Sequence, residues 1–173
     1  MIDKEKCNIF SIGLICLKVK FEDELGYGLF PKPHFYSKKT KILHNEKDIL
    51  FSNNSKIYIS IKNYFSSYPK INKLFFKNNE FNIDLDSFNF FKMLFNSNNK
   101  KHKIFFNDSK MFFKDKSNEV IFISKIEKLN FIKENENSDQ LAKLNFKIFN
   151  LPFSVNIKND QINDKILIRL NSK

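Results

Sequence analysis

The residues best suited to metal binding or acid–base chemistry are few and scattered in this sequence. Histidine occurs three times, at His34, His44 and His102, and no other histidine or cysteine stands at ligand spacing from any of them. All three lie close to lysines, as surface histidines commonly do. Cys7 and Cys16 do not form a C-x-x-C pair and lie in an apolar stretch, where buried free thiols are ordinary. The sequence therefore predicts no metal site and no cofactor.

Paired carboxylates offer a second route to catalysis. Asp84 and Asp86 alternate with apolar residues, so both point to one face of a strand, where two carboxylates could share acid and base roles. Their neighbours on that face are also polar, which favours a wetted strand surface. Asp108 and Asp115 fall in predicted turns, where aspartate bonds to its own backbone. Because no nucleophile elbow or phosphate loop is present either, we expect a protein without catalytic activity.

The chain is strongly basic, with a formal net charge of +11, which raises the possibility of nucleic-acid binding. Arg169 is the single arginine, although guanidinium is the better reader of phosphates and bases. The lysines are spread along the chain and mostly alternate with apolar residues. This pattern favours a solvated, lysine-rich outer face over a nucleic-acid site, with a weak attraction to anionic lipid as a further consequence.

The elements that would position any site are β-strands, because apolar and polar residues alternate with period two along most of the chain. Such strands have one apolar and one wet face, as in antiparallel sheets. The apolar members of the alternating runs are Leu17, Val19 and Phe21; Ile57, Ile59 and Ile61; Phe81, Ile83 and Leu85; Leu144, Phe146 and Ile148; Phe153, Val155 and Ile157; and Ile166, Ile168 and Leu170.

Shorter strands joined by turns complete the prediction. We expect strands at 103–106 and 110–114 around an Asn107-Asp108 turn, and further strands at 120–124 and 129–133 after a turn at 115–118. Pro31 and Pro33 predict a bend that leads into a new strand.

One segment breaks the period. Ser87 is predicted to cap a short helix over 87–95, with Phe88, Phe91, Leu94 and Phe95 at helical spacing. No longer helix separates the strands, so parallel βαβ units are not expected. The predicted fold is mostly β: an antiparallel meander of repeated hairpins forming a curled sheet or groove with an apolar inner face. Residues 1–173 should form a single β domain or a segment of a longer repetitive protein, with 1–24 poorly assigned.

An apolar sheet face of this size must be covered by a second sheet, by helices or by an apolar ligand. Packing on a second sheet is the commonest solution, and the same residues would then form an ordinary dry core. The ligand alternative makes them a lining for lipid acyl chains. The residues expected on the shared lining face are Phe81, Ile83, Leu85, Phe146, Ile148, Phe153, Val155 and Ile157.

The strand series resembles the AsmA-like family of bacterial envelope proteins, relatives of the bridge-like lipid-transfer proteins. The resemblance begins at Gly28-Leu-Phe-Pro-Lys-Pro-His-Phe35, a bend before a strand with a basic segment at 37–43. It continues through the strand and short hydrophobic stretch at 81–95 and the paired short strands of 103–115. It ends with the Phe149-Asn-Leu-Pro-Phe153 turn that opens a strand.

The resemblance implies a long curled sheet with an apolar groove used for lipid passage or envelope lipid balance. It also implies a periplasmic location at the inner membrane, membrane or envelope protein partners and no catalytic residue. Family members usually begin with a transmembrane helix, so this chain would be an internal piece or a truncated relative. Two other functions stay open: a structural or interaction β-sandwich module without ligand, and a basic nucleic-acid-binding protein.

Overall fold

The chain forms β-structure along almost all of the described sequence in the computed structural model. The structure describes residues 10–12, 15–44, 47–60, 71–85, 87, 102–133, 139–160 and 165–172. Within them the strands are β1 (Phe10–Ile12), β2 (Ile15–Phe21), β3 (Gly26–Gly28), β4 (His34–Ser37), β5 (Thr40–His44), β6 (Lys47–Ile59), β7 (Ile71–Ile83), β8 (His102–Lys114), β9 (Val120–Lys133), β10 (Gln140–Ile148), β11 (Leu151–Asp160) and β12 (Lys165–Ser172). The prediction of a mostly β protein is confirmed.

The strands form one large sheet in which nearly all neighbours are antiparallel. The order is β1-β2-β5-β6-β7-β8-β9-β10-β11-β12, and the β3–β4 hairpin joins β6 through β4. One pair departs from the predicted meander, because β7 and β8 are parallel, with Leu74 opposite Ile104 and Ile83 opposite Phe113. A parallel pair needs a long connection that returns the chain to the same end of the sheet. Residues 84–101 separate the two strands along the chain. The predicted antiparallel sheet is therefore confirmed as mostly antiparallel, with β7–β8 as a parallel pair within it.

The predicted break at Asn107-Asp108 is not a turn. Residues 103–106 and 110–114 belong to the single strand β8, and 120–124 and 129–133 belong to the single strand β9. The two long strands pair from end to end, with His102 opposite Lys133 and Lys114 opposite Val120. The prediction of four short strands is therefore wrong. The turn between the two long strands, at 115–118, is confirmed by a hydrogen bond from the Asn118 amide to the Asp115 carbonyl.

What interrupts the alternation in these strands is a row of kinks at one level of the sheet, which we call the kink row. In each of β6, β7, β8 and β9, two successive residues point outward where a regular strand would place one outward. The register between these four strands continues through the row without a shift, so each outward pair faces another outward pair and the strands carry no bulge relative to one another there. These outward pairs are Asn53-Asn54, Lys77-Asn78, Asn107-Asp108 and Glu127-Lys128. Asn78 and Asp108 have positive φ, 55° and 51°, which Asn and Asp tolerate better than most residues. The row ends at β10, where the register shifts between Asn145 and Phe146.

The kink row bends the sheet toward its inner face. Phe81 and Phe76 are five positions apart on β7, a distance of about 16 Å along a flat strand. Phe76 nevertheless stacks on its partner Phe106 at 5.1 Å, and the Phe81 ring centroid lies only 5.2 Å from that of Phe106. The inner faces on the two sides of the kink row therefore pack against each other.

Small polar side chains fill the inside of the bend. Thr40, Ser52, Asn79 and Ser109 pair successively across β5 to β8, and none is more than 1 % exposed. Two of them bond backbone carbonyls of the outward pairs. Ser52 Oγ donates to the carbonyl of Asn54 at 3.2 Å, and Ser109 Oγ donates to the carbonyl of Asn107 at 3.3 Å. Small residues fit here because the bend leaves little room above the backbone.

The core lies on both sides of this row. Buried apolar side chains from β2 and β5 to β10 form one cluster that includes Ile42, Leu50, Ile57, Leu74, Phe76, Phe81, Ile104, Phe106, Leu129, Phe131 and Ala142. The bend predicted at Pro31 and Pro33 is also confirmed, since β4 begins directly after it at His34.

Candidate apolar binding face

The predicted lining residues on strands share one face of the sheet. Phe81 pairs with Met111, and Phe146 pairs with both Ile126 and Phe153. Directly paired residues lie on the same side of a sheet. Following the register from β7 to β11 therefore places these residues on the inner face: Phe81, Ile83, Phe146, Ile148, Phe153, Val155 and Ile157.

Two of the seven belong to the dry core. Phe81 is 2 % exposed and Ile83 is 5 % exposed, and both are part of the central cluster. Phe81 also meets the edge of the Phe106 ring at 5.2 Å across the bend. A ligand could reach these two side chains only by displacing that packing, so they belong to the core and not to an open surface.

The other five lie where the inner face opens to solvent. Phe146, Ile148, Phe153, Val155 and Ile157 are each partly exposed, and Phe146 stacks on Phe153 at 5.5 Å. The same face continues through more exposed residues on β11 and β12. We call the whole open region the apolar shelf: Phe146, Ile148, Leu151, Phe153, Val155, Ile157, Ile166, Ile168 and Leu170. The sequence prediction omitted Leu151, Ile166, Ile168 and Leu170 from the site, although the alternation of 166–170 was visible.

The shelf ends at β12, which is exposed on both faces. Ile168 on the shelf side is 68 % exposed, and Leu167 on the opposite side is 57 % exposed. Within the described ranges β12 pairs with β11 and with no strand on its other side. Its outer edge therefore presents backbone hydrogen-bonding groups beside exposed aliphatic side chains.

Leu85 does not join this face. It follows the end of β7, has helical backbone and is 62 % exposed. It lies on a polar cleft of about 590 Å³ whose other lining residues are Lys47, Asp48, Asn82, Asp84, Ser87, Lys114, Asp115, Lys116 and Asn118. The prediction of Leu85 on the shared face is wrong, because the alternation of β7 stops at Ile83 where the backbone turns into a helical conformation.

Asp84 explains that change of conformation. Its Oδ1 accepts hydrogen bonds from the Ser87 amide at 2.6 Å and the Ser87 hydroxyl at 2.5 Å, so Asp84 is the capping residue and Ser87 is the residue capped. The rest of the helix predicted over 87–95, like Asp86, lies outside the described residues. The Ser87 hydroxyl, the Ser87 amide and the Lys47 ammonium together lower the pKa of Asp84 to about 2. Asp84 is thus ionised at neutral pH and is a poor general acid or base.

The three histidines lie on three different strands. His34 is 5 % exposed, its Nδ1–H donates to the Lys32 carbonyl at 2.8 Å, and its ring lies 5.3 Å from that of Tyr58. The expectation of a surface histidine is wrong for His34, because the β3–β4 hairpin packs its ring beside Tyr36 and Tyr58. His44 ends β5 and His102 begins β8. Across the described residues, no three His, Cys, Asp or Glu side chains are grouped to hold a metal ion.

Comparison of the sequence with known proteins identifies no family for this chain. The sequence matches no protein-family model, and no curated protein matches it as a relative. In the part of the chain that the structure describes, no helix combines the length and the apolar character needed to cross a bilayer. The resemblance to AsmA-like proteins stays a prediction.

Proposed function

We propose that the protein binds lipid acyl chains on the apolar shelf and acts without catalysis in lipid transport between membranes or in envelope assembly. The supporting observation is the open, aliphatic and aromatic inner face of β10–β12, which continues directly from the core. Soluble monomers seldom leave apolar patches of more than a few hundred Å² in water, and larger patches usually mark binding sites.

The dimensions of the shelf suit an acyl chain. From Leu151 to Ile157 the shelf extends about 20 Å along β11, at about 3.3 Å per residue. An acyl chain spans roughly half of the ~30 Å hydrocarbon core of a bilayer, so the shelf is long enough for one whole chain. Lysines and Arg169 on these strands point to the opposite face, so the shelf itself carries little charge. The resemblance to AsmA-like proteins supports a periplasmic location at the inner membrane for this activity.

Ile168 and Leu167 provide a matched test. They are neighbours on β12 with similar exposure, but Ile168 lies on the shelf and Leu167 on the other face. In a titration with a fluorescent fatty acid, Ile168→Ser should weaken binding about fivefold to thirtyfold, as expected for losing much of one aliphatic contact. Leu167→Ser should bind as the unmodified protein does. Mass spectrometry of lipid extracted from the purified protein gives an independent readout. No fatty-acid affinity and no co-purifying lipid would contradict the proposal.

A second function is favoured by the outer edge of β12, which could pair with a strand of another protein or another copy. In a two-fold antiparallel pair centred on Ile168, Lys165 would face Asn171, and Arg169 would face Leu167. If the pair were centred on Leu167, Arg169 would face Lys165. If it were centred on Arg169, that residue would face its own copy. Like-charge repulsion disfavours both registers. Sedimentation velocity over a range of protein concentrations tests this self-pairing, and a monomer at every concentration would exclude it.

A further inference from the structure

The loop between β3 and β4 exposes its most apolar residues at one end of the sheet. Leu29 is 59 % exposed and Phe30 is 88 % exposed, which makes Phe30 almost entirely accessible to solvent. The loop residue Lys32 is also exposed and follows two positions later. An exposed phenylalanine beside an aliphatic residue and a lysine is the composition of a peripheral membrane-binding loop.

The loop is held to the sheet at its return. The Ile59 amide donates to the Pro33 carbonyl at 3.1 Å, and His34 Nδ1–H donates to the Lys32 carbonyl at 2.8 Å. Gly28 leaves room for the His34 ring, since a Cβ at Gly28 would lie 2.6 Å from the ring carbon Cε1. These contacts fix where Phe30 and Lys32 stand relative to β6.

A basic and aromatic cluster lies next to this loop on the outer face. The Lys73 ammonium lies 4.5 Å from the ring centroid of Phe105, 5.3 Å from that of Tyr58 and 5.5 Å from that of Phe75. Burial and the positive charges of Lys32 and Lys103 lower the pKa of Lys73. The charges of Lys32 and Lys103 therefore act on the Lys73 ammonium, and a concentration of like charge of this kind attracts anions.

We propose that the Leu29–Phe30 loop and the Lys32–Lys73–Lys103 cluster dock the protein on an anionic membrane surface. The lysines would lie at the phosphate groups, while Leu29 and Phe30 would enter the boundary between headgroups and acyl chains. A nucleic acid would supply phosphates but no apolar medium for Leu29, so the bilayer satisfies both features of the surface. This docking site is separate from the apolar shelf and does not depend on acyl-chain binding there.

The test is sedimentation of the full chain with vesicles of phosphatidylcholine and phosphatidylglycerol in equal parts, compared with pure phosphatidylcholine. Binding should require phosphatidylglycerol and decrease as salt is added. Phe30→Ala should lower the vesicle partition coefficient about tenfold. Lys32→Glu should lower it at least about fivefold, since each lysine near an anionic surface contributes roughly that factor.

The chain offers matched controls. Phe149 is 89 % exposed in the β10–β11 turn, so Phe149→Ala removes an equally accessible ring. Lys116→Glu reverses an exposed charge in the β8–β9 turn. Both should bind vesicles as the unmodified protein does. Circular dichroism of each variant verifies that the sheet is intact.

Three results would overturn the proposal. The first is equal partition into neutral and anionic vesicles. The second is a loss on Phe149→Ala or Lys116→Glu as large as that on Phe30→Ala, which would place the contact elsewhere. The third is Phe30-dependent binding to single-stranded RNA without vesicle binding, which would identify a nucleic-acid surface. Loss of vesicle binding in Phe30→Ala with unchanged fatty-acid affinity would support docking independently of the shelf.

Discussion

Asn79 shows how one side chain holds the bend of the sheet. It is 1 % exposed, and its Nδ2 donates to Ser109 Oγ at 2.8 Å and to the Asn107 carbonyl at 3.3 Å on the neighbouring strand. Ser109 Oγ donates to the same carbonyl at 3.3 Å, so two side chains bond the backbone at this kink. A buried polar group without a hydrogen bond is costly, so the amide at position 79 stabilises a backbone shape that an apolar residue could not.

Replacing Asn79 by alanine should therefore destabilise the protein by about 1–3 kcal/mol, since the variant loses the buried hydrogen bonds from Asn79 to Ser109 and Asn107. Urea unfolding followed by circular dichroism measures this free energy. The control is Asn171→Ala on β12, where the side chain is exposed and the change should stay within about 0.5 kcal/mol. An Asn79→Ala variant as stable as this control would show that the polar row is not needed for the bend.

Asp84 makes a pH-dependent contribution. Hydrogen bonds from the Ser87 hydroxyl and amide, with help from Lys47, lower its pKa from 3.8 to about 2 in the folded protein. Because the folded pKa is the lower one, the stabilisation is present above the unfolded pKa and is lost as pH falls through the folded pKa. Asp84→Ala should cost about 1 kcal/mol at neutral pH, as loss of a helix cap does.

The difference between Asp84→Ala and the unmodified protein should shrink as the pH is lowered from about 4 to about 2. Denaturation curves at these pH values and at neutral pH measure it. Asp23→Ala, at an exposed aspartate after β2, is the control for a general loss of negative charge. A difference that is the same at every pH would mean that the ionised carboxylate has no role in the cap.

At the scale of the elements, the sequence predicts strands well and their ends less well. Alternation identified β2, β10, β11 and β12, because each is regular. It failed in β8 and β9, where a polar pair such as Asn107-Asp108 is equally compatible with a hairpin turn and with a kink inside a strand. The difference depends on whether neighbouring strands carry an outward pair at the same level, and that is a property of pairing that no single segment contains.

Substitutions at Asp108 test the left-handed backbone conformation of the kink in β8 directly. Its φ of 51° is easily adopted by glycine and poorly by a β-branched residue. Asp108→Gly should leave stability within about 0.5 kcal/mol, because its ion pair with Lys77 is exposed. Asp108→Val should cost about 1–3 kcal/mol through backbone strain. Thermal or urea unfolding of the two variants distinguishes them, and equal stability would show that the left-handed conformation is not maintained in solution.

At the scale of the molecule, the predicted lining residues on strands do share one face, but their exposure to solvent differs from one part of that face to another. Period two correctly grouped Phe81 with Phe146 and Val155, because the strand pairings from β7 to β11 keep these residues on one side of the sheet. It could not tell that Phe81 is covered and Val155 is partly open, since burial depends on which parts of the sheet the bend brings together. The parallel β7–β8 pair was hidden for a similar reason: strand direction depends on the route of the connecting segment.

This unevenness predicts a gradient of hydrogen exchange across the sheet. Amides in β7–β9, in the middle of the sheet and beside the densest core, should exchange slowest, while β12 should exchange fastest because its side chains are exposed and its outer edge is unpaired within the described residues. Hydrogen–deuterium exchange with mass spectrometry resolves these strands as separate peptides.

Adding a fatty acid should then slow exchange in β10–β12 and leave β7–β9 unchanged, because a chain on the apolar shelf covers only the open part of the face. If protection of β12 instead increases with protein concentration and ignores the fatty acid, strand pairing between copies is the function of that edge. Protection that appears first in β7–β9 would contradict both, since the ligand would then have entered the core at Phe81 and Phe106 and the sheet would open along its bend.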